Sequence, residues 1–138
     1  MELLEQCKNW NDDGEYEKVL EALEILPENA RSPEMDSELA RAYNNLGNPG
    51  EHKLFLQALK LLKPHEEYFK GDHKYYFRVA FAYAYLDEDG PALHYFKKAL
   101  DARPGDEDTY EMMEICVDCL TNPRFEADFS VRVYEMWK

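Results

Sequence analysis

Short turn-forming segments interrupt the sequence about every 12 to 20 residues, and this spacing restricts the fold more than any other feature. The segments are residues 12–14, 27–33, 47–50, 70–72, 89–91, 103–105 and 121–123. Between them, apolar residues recur every three or four positions, as on one face of a helix. The clearest stripes are Val19, Leu20, Leu23 and Leu26, then Leu54, Ala58, Leu61 and Leu62, then Leu93, Phe96, Ala99 and Leu100. Seven breaks therefore predict about eight helices in antiparallel hairpins, which is an all-α fold.

One stretch, residues 76–104, alternates small and large residues at fixed offsets. Its marked positions are Tyr76, Ala80, Tyr83, Ala92, Phe96, Ala99 and Pro104. Alanine allows two helices to approach closely, the aromatic rings fill the space beside the contact, and proline ends a helix. These spacings and residue types resemble the signature of the tetratricopeptide repeat.

The other units resemble the repeat less closely but keep its phase. Their matching positions are Cys7, Trp10 and Leu23, then Ala40, Tyr43, Ala58 and Leu62, then Tyr110. The second unit carries six extra residues, expected in the turn at 48–53, and Pro64 is expected to end or kink its second helix. In the last unit Glu114 stands where the family has a small residue.

The resemblance implies a right-handed α-solenoid of antiparallel helix pairs in a single domain. It covers three to four repeats with a C-terminal capping helix, in units of about 1–31, 32–71, 72–105 and 106–138. Terminal repeats are atypical because one of their faces meets water. The resemblance also implies protein binding as the function, as in small bacterial members of the family.

The overall charge disfavours several classes of partner. The chain has 138 residues, with 16 basic and 29 acidic side chains and a formal net charge of −13. Such a surface repels phosphate backbones and anionic lipid headgroups, so we expect neither nucleic-acid nor membrane binding. Because 45% of the residues are hydrophobic, the chain is not expected to be disordered.

The expected location is the cytoplasm. The first six residues contain no basic segment leading into an apolar run, and no stretch is apolar enough to span a bilayer. The three cysteines Cys7, Cys116 and Cys119 make an odd number, which favours reduced thiols.

In the tetratricopeptide family, the first helix of each pair lines a concave groove. Helical spacing then predicts the side chains that remain for a ligand once the packing residues are assigned. The predicted groove residues are Lys8, Arg41, Asn44, Asn45, Lys74, Phe77, Arg78, Phe81 and Tyr85. Basic groups bind carboxylates, amides bind a peptide backbone, and aromatic rings accept an apolar side chain. The hypothesis is a groove for an acidic or carboxyl-terminal peptide with an apolar anchor.

Lys74 and Arg78 resemble half of the dicarboxylate clamp found in chaperone-adaptor members of the family. The other half is absent, because Leu4, Lys8 and Glu38 stand where a lysine and two asparagines are needed. Glu38 is also expected to repel a ligand carboxylate. Binding of chaperone tails is therefore not expected.

No motif points to catalysis or to a cofactor. Cys116 and Cys119 form a lone CxxC without a second ligand pair, so they are expected to be packing residues rather than a metal or redox site. His65 and His73 are near enough in sequence to approach each other, but surface polar roles are expected for both. The sequence has no phosphate-binding, dinucleotide, hydrolase or metalloprotease motif. We expect no enzyme, no metal and no cofactor.

Two alternatives to the peptide groove remain open. The first is a structural module that forms a homodimer through its terminal helices. It is suggested by an apolar stripe near the C-terminus, formed by Phe125, Phe129, Val133, Met136 and Trp137. The second is a sensory domain whose groove takes a small ligand.

Overall fold

The computed structural model describes residues 2–121. Within this range the chain forms the helices α1 (Leu3–Asp12), α2 (Tyr16–Leu23), α3 (Pro33–Leu46), α4 (Lys53–Leu62), α5 (His73–Tyr85), α6 (Asp89–Ala102) and α7 (Glu107–Thr121). Single 3₁₀ turns, Glu28–Ala30 and Lys63–His65, follow α2 and α4. None of the described residues lies in a strand, which confirms the all-α fold for residues 2–121.

Local sequence signals account for several helix ends. The Ser32 hydroxyl accepts a hydrogen bond from the amide of Met35 at the start of α3, where Pro33 is the first residue. Gly71 has a φ of 84°, a conformation that costs glycine little, in the turn before α5. As predicted, Pro64 lies in the 3₁₀ turn just after the end of α4.

One predicted break is displaced along the chain. Residues 89–91 were expected to form a turn, but α6 already begins at Asp89. The turn lies at Leu86–Glu88 instead, where Asp87 adopts a positive φ of 59°. Pro91 is accommodated inside the first turn of α6, where no intrahelical amide bond is lost.

Each helix packs against the next one along the chain, and two further contacts join α1 to α3 and α3 to α5. Small residues lie at these contacts, as their spacing predicts. Ala40, Ala58, Ala80, Ala92 and Ala99 have no exposed surface. Because alanine has the smallest side chain that keeps a helix stable, it permits close approach without loss of helicity.

The turn between α3 and α4 depends on a glycine for its close packing. Gly47 lies against the fully buried ring of Phe55, and a Cβ atom added at Gly47 would come within 2.4 Å of that ring. The φ of Gly47 is −65°, so contact with Phe55, rather than backbone conformation, requires glycine here.

Replacing Gly47 by alanine is therefore expected to destabilise the protein by about 1–3 kcal/mol, since a well-packed core accepts an extra methyl group only by shifting its neighbours. Urea unfolding followed by circular dichroism measures this change. The matched control is Gly90→Ala, because a Cβ atom at Gly90 meets nothing within 4 Å. Equal stabilities for the two variants would contradict the assigned contact.

Tyrosines in the core make stability sensitive to alkaline pH. Burial raises the pKa of Tyr43, Tyr75 and Tyr95 above the ordinary value of a phenol. The hydroxyl of Tyr43 donates to Glu24 Oε1 at 2.7 Å, and that of Tyr75 donates to the carbonyl of Leu62 at 2.9 Å. Both contacts require the protonated phenol.

These shifts predict that stability is lost as the pH rises. Above about pH 10 the unfolded chain releases phenolic protons that the folded chain retains, so the free energy of unfolding falls with increasing pH. Urea unfolding between about pH 9 and pH 11 measures the slope, which Tyr43→Phe should reduce. Phenolate absorbance from the buried tyrosines should appear together with unfolding. A stability that does not change across this range would contradict the prediction.

Several sequence predictions fall outside the described residues. The C-terminal stripe, which contains Phe125, Phe129, Val133, Met136 and Trp137, lies there, as does the second helix of the last unit. Among residues 2–121, no helix has both the length and the apolar character needed to cross a membrane.

Candidate ligand-binding cavity

A cavity of about 450 Å³ lies across α1, α3, α5 and the beginning of α7. Its lining residues are Asp12, Tyr16, Arg41, Asn44, Asn45, His73, Lys74, Phe77, Arg78, Phe81, Arg103, Asp106 and Asp108. The volume is in the range of pockets that hold small molecules or a few residues of a peptide. Both charge signs and aromatic rings line it.

Seven of the nine predicted groove residues line this cavity, and they are Arg41, Asn44, Asn45, Lys74, Phe77, Arg78 and Phe81. The other two lie elsewhere. Lys8 is exposed on α1 and does not line the cavity. Tyr85 is buried, and its ring stacks on that of Phe55 with centroids 4.7 Å apart. Tyr85 therefore belongs to the core rather than to a binding surface.

A buried ion pair holds the floor of the cavity together. Arg78 Nη1 donates to Glu38 Oε2 at 3.2 Å and to the hydroxyl of Ser37 at 2.7 Å. From α1, the Nδ2 group of Asn11 donates to Glu38 Oε1 and to the Glu38 carbonyl, both at 3.0 Å. Glu38 thus connects α1, α3 and α5. Burial lowers the pKa of Arg78, and the nearby Glu38 carboxylate opposes this change.

Glu38 has the opposite role to the one expected from the sequence. It was expected to face a ligand and repel it, whereas it is buried and neutralises Arg78. Arg78 is consequently not a free cation. Its side chain is only 12% exposed, so its main effect is to fix α5 against α3.

Arg41 lies closer to solvent. Its Nη1 group is 2.9 Å from Asp12 Oδ1 and 3.8 Å from Glu38 Oε1. The Arg41 side chain is 31% exposed and that of Asp12 is 65% exposed. Arg41 therefore has two partners, which are the buried Glu38 and the solvent-exposed Asp12. Asp12 also lines the cavity.

The two predicted amides already make internal contacts. Asn45 Nδ2 donates to the Arg41 carbonyl at 2.8 Å, and Asn44 Nδ2 donates to the Arg78 carbonyl at 3.1 Å. The Asn44 Oδ1 atom is buried and receives no hydrogen bond from any described residue.

The far end of the cavity contains polar groups that were not predicted, at the start of α5 and in the turn before α7. His73 Nδ1 donates to the Ala99 carbonyl at 2.8 Å, and its Nε2 atom is 3.7 Å from Asp106 Oδ2. Hydrogen bonds from Thr109 to this carboxylate lower the pKa of Asp106. Lys74 is exposed beside this group and forms no ion pair with a described residue. Turn residues were missed because the prediction considered helix faces only.

The aromatic lining offers a limited apolar surface. Phe81 is buried and packs against Tyr85, with ring centroids 4.8 Å apart. Phe77 is half-buried and contacts Phe96 edge-on, with centroids 5.4 Å apart. Phe77 and the half-buried Tyr16 are therefore the rings best placed to accept an apolar group from a ligand.

The CxxC residues and the histidines have separate surroundings within residues 2–121. Cys116 and Cys119 are buried on α7, and burial strongly raises the pKa of the Cys116 thiol. His65 and His73 have separate partners, because His65 Nε2 lies 2.8 Å from Asp36 Oδ2. No three His, Cys, Asp or Glu side chains among the described residues are grouped as metal ligands.

Comparison with known proteins gives no family assignment. No protein-family model matches the chain, and no curated protein or solved structure is detectably similar to it. Function therefore has to be inferred from the cavity itself.

Proposed function

We propose that the chain is a protein-interaction module of the tetratricopeptide type, which binds a peptide or a segment of a protein partner in the cavity across α1, α3 and α5. The observation that carries this proposal is the cavity of about 450 Å³, because its lining combines basic groups, amides and aromatic rings. Extended peptides offer matching groups, which are carboxylates, backbone amides and apolar side chains. The proposed activity is binding alone, without a catalytic residue, metal or cofactor.

The arrangement of helices supports this proposal. Consecutive helices pack together, and α3 also contacts α1 and α5, as expected for stacked helix pairs. The ion pair between Glu38 and Arg78 connects these helices beneath the cavity. A site held by fixed helices loses little conformational entropy when it binds a ligand.

Charge reversal at Lys74 provides a test. A library of short displayed peptides is panned against the purified full chain, and the selected peptides are measured with Lys74→Glu and Lys97→Glu. Lys74 lines the cavity, whereas Lys97 is equally exposed on α6 but lies outside it. We expect Lys74→Glu to weaken binding of acidic peptides by about two- to five-fold, as for one exposed charge contact.

Lys97→Glu is the matched control, since it changes the net charge by the same amount. Equal effects of the two variants would show that total charge, rather than the cavity, determines binding. Selection of no peptide above background would contradict the proposed function.

A second candidate function is self-association through α7. Its outer face exposes Tyr110, Val117 and Leu120, which follow each other at helical spacing, so described residues leave this face uncovered. Sedimentation equilibrium of the full chain and of Val117→Asp tests this candidate. A dimer that dissociates in the variant favours self-association, whereas a monomer in both contradicts it.

A further inference from the structure

The ion pair between Arg41 and Asp12 differs from the other charge contacts on the cavity floor. Both side chains line the cavity, and Arg41 Nη1 lies 2.9 Å from Asp12 Oδ1. Asp12 is 65% exposed, whereas Glu38, the second partner of Arg41, is buried. An ion pair open to water contributes little stability, so Asp12 is free to exchange with another anion.

The position of Asp12 weakens its ion pair with Arg41 further. Asp12 is the last residue of α1, where the helix dipole disfavours a negative charge. Asp13, another carboxylate, follows immediately. Both effects disfavour the charged Asp12 side chain at this position, so its ion pair with Arg41 is weak.

Glu38 cannot be displaced in the same way. Its two carboxylate oxygens receive hydrogen bonds from Asn11 and Arg78, and both Glu38 and Asn11 are buried outside the lining of the cavity. Removing this carboxylate would leave the buried Arg78 uncompensated. Exchange at Arg41 is therefore confined to the side occupied by Asp12.

We propose that Arg41 is the anion-binding residue of the cavity, and that Asp12 occupies the place which a carboxylate of the bound peptide takes. This inference rests on the proposed function and narrows the ligand to a segment with a side-chain or terminal carboxylate near its apolar group. Arg41 is already paired in the free protein, so a neutral peptide gains nothing from it. Asp12 therefore competes with the carboxylate of an acidic segment for Arg41 and does not affect a neutral one.

The experiment compares Asp12→Asn, Asp13→Asn and Arg41→Gln by fluorescence anisotropy. The probes are labelled library-selected peptides that contain one glutamate, with two relatives of each. One relative carries glutamine in place of the glutamate, and the other has an amidated C-terminus. This design separates a side-chain carboxylate from a terminal one.

We expect Asp12→Asn to tighten binding of the glutamate peptide by about two- to five-fold, the range for one exposed ion pair, and to leave the glutamine relative unchanged. Asp13→Asn removes the same charge one residue away and should not reproduce this selectivity. Arg41→Gln should abolish the difference between the glutamate and glutamine peptides. If the amidated relative alone loses affinity, the carboxylate is the terminal one.

Two results would overturn the inference while leaving the proposed function intact. The first is an equal effect of Asp12→Asn and Asp13→Asn, which would reflect net charge alone. The second is a carboxylate preference that persists in Arg41→Gln. If the folded wild-type chain binds none of the peptides, both the proposed function and this inference fail.

Discussion

Replacing Glu38 by alanine is expected to lower the free energy of unfolding by about 3–5 kcal/mol, because removal of one partner from a buried ion pair leaves the other charge uncompensated. Arg78 would lose its carboxylate partner at 3.2 Å, and Asn11 would lose a hydrogen bond that joins α1 to α3. Urea unfolding at neutral pH, followed by circular dichroism, measures the loss.

Two further variants separate the charge effect from a general effect of the substitution. Glu21→Ala removes an exposed carboxylate of α2 that pairs with no described residue, and it should change stability by no more than about 0.5 kcal/mol. The double variant Glu38→Leu, Arg78→Met should recover much of the loss, since apolar replacement of a buried pair is often neutral. A Glu38→Ala protein as stable as the wild type would contradict the assigned network.

Replacing Phe55 by alanine is expected to destabilise the protein by a similar amount, about 3–5 kcal/mol, because a fully buried ring leaves a cavity behind. Phe55 stacks on Tyr85 with ring centroids 4.7 Å apart and an interplanar angle of 12°, so it connects α4 to α5. The neighbouring Leu56→Ala is the matched control, since Leu56 is 53% exposed and should matter far less.

The contact between Phe55 and Gly47 adds a coupling test. Once the ring is removed, a methyl group at residue 47 has room, so Gly47→Ala should cost less in the Phe55→Ala background than in the wild type. Non-additivity of about 1 kcal/mol is typical for residues in contact. Strictly additive losses would mean that the two residues do not touch.

Helical periodicity and turn chemistry were sufficient to predict the all-α fold and most of the breaks. Both signals are local, because proline and glycine act on their own backbone and a stripe acts on one helix. Phe55 was missed for a tertiary reason. The predicted stripe of α4 was Leu54, Ala58, Leu61 and Leu62. Ala58 and Leu62 are buried as predicted, but the third buried residue is Phe55, because α3 and α5 cover that face.

The residues that line the cavity were easier to predict than the ion pairs and hydrogen bonds that these residues form. Helical spacing identifies which side chains share a face, and seven of the nine predicted residues line the cavity. Pairing between helices cannot be obtained from spacing alone. Arg78 and Glu38 are 40 positions apart in sequence, and only the packing of α5 against α3 brings them together. Their neutralisation turns a predicted ligand-binding cation into a structural one.

This pairing gives three of the basic groups that line the cavity different roles. Arg78 is buried and fixed by Glu38, Arg41 exchanges one exposed partner in our proposal, and Lys74 is an exposed cation at the far end. Substitutions at these positions should therefore affect different properties of the protein. Changes at Arg78 should affect folding, whereas changes at Arg41 and Lys74 should affect binding with little loss of stability.

The most direct test of peptide binding in the cavity is a nuclear magnetic resonance titration of the isotopically labelled full chain with a library-selected peptide. If the peptide binds in the cavity, the largest chemical-shift changes occur in the side-chain amides of Asn44 and Asn45 and in the backbone of α5 around Phe77. Shifts confined to the outer face of α7, around Tyr110 and Val117, would place the ligand elsewhere and contradict the claim.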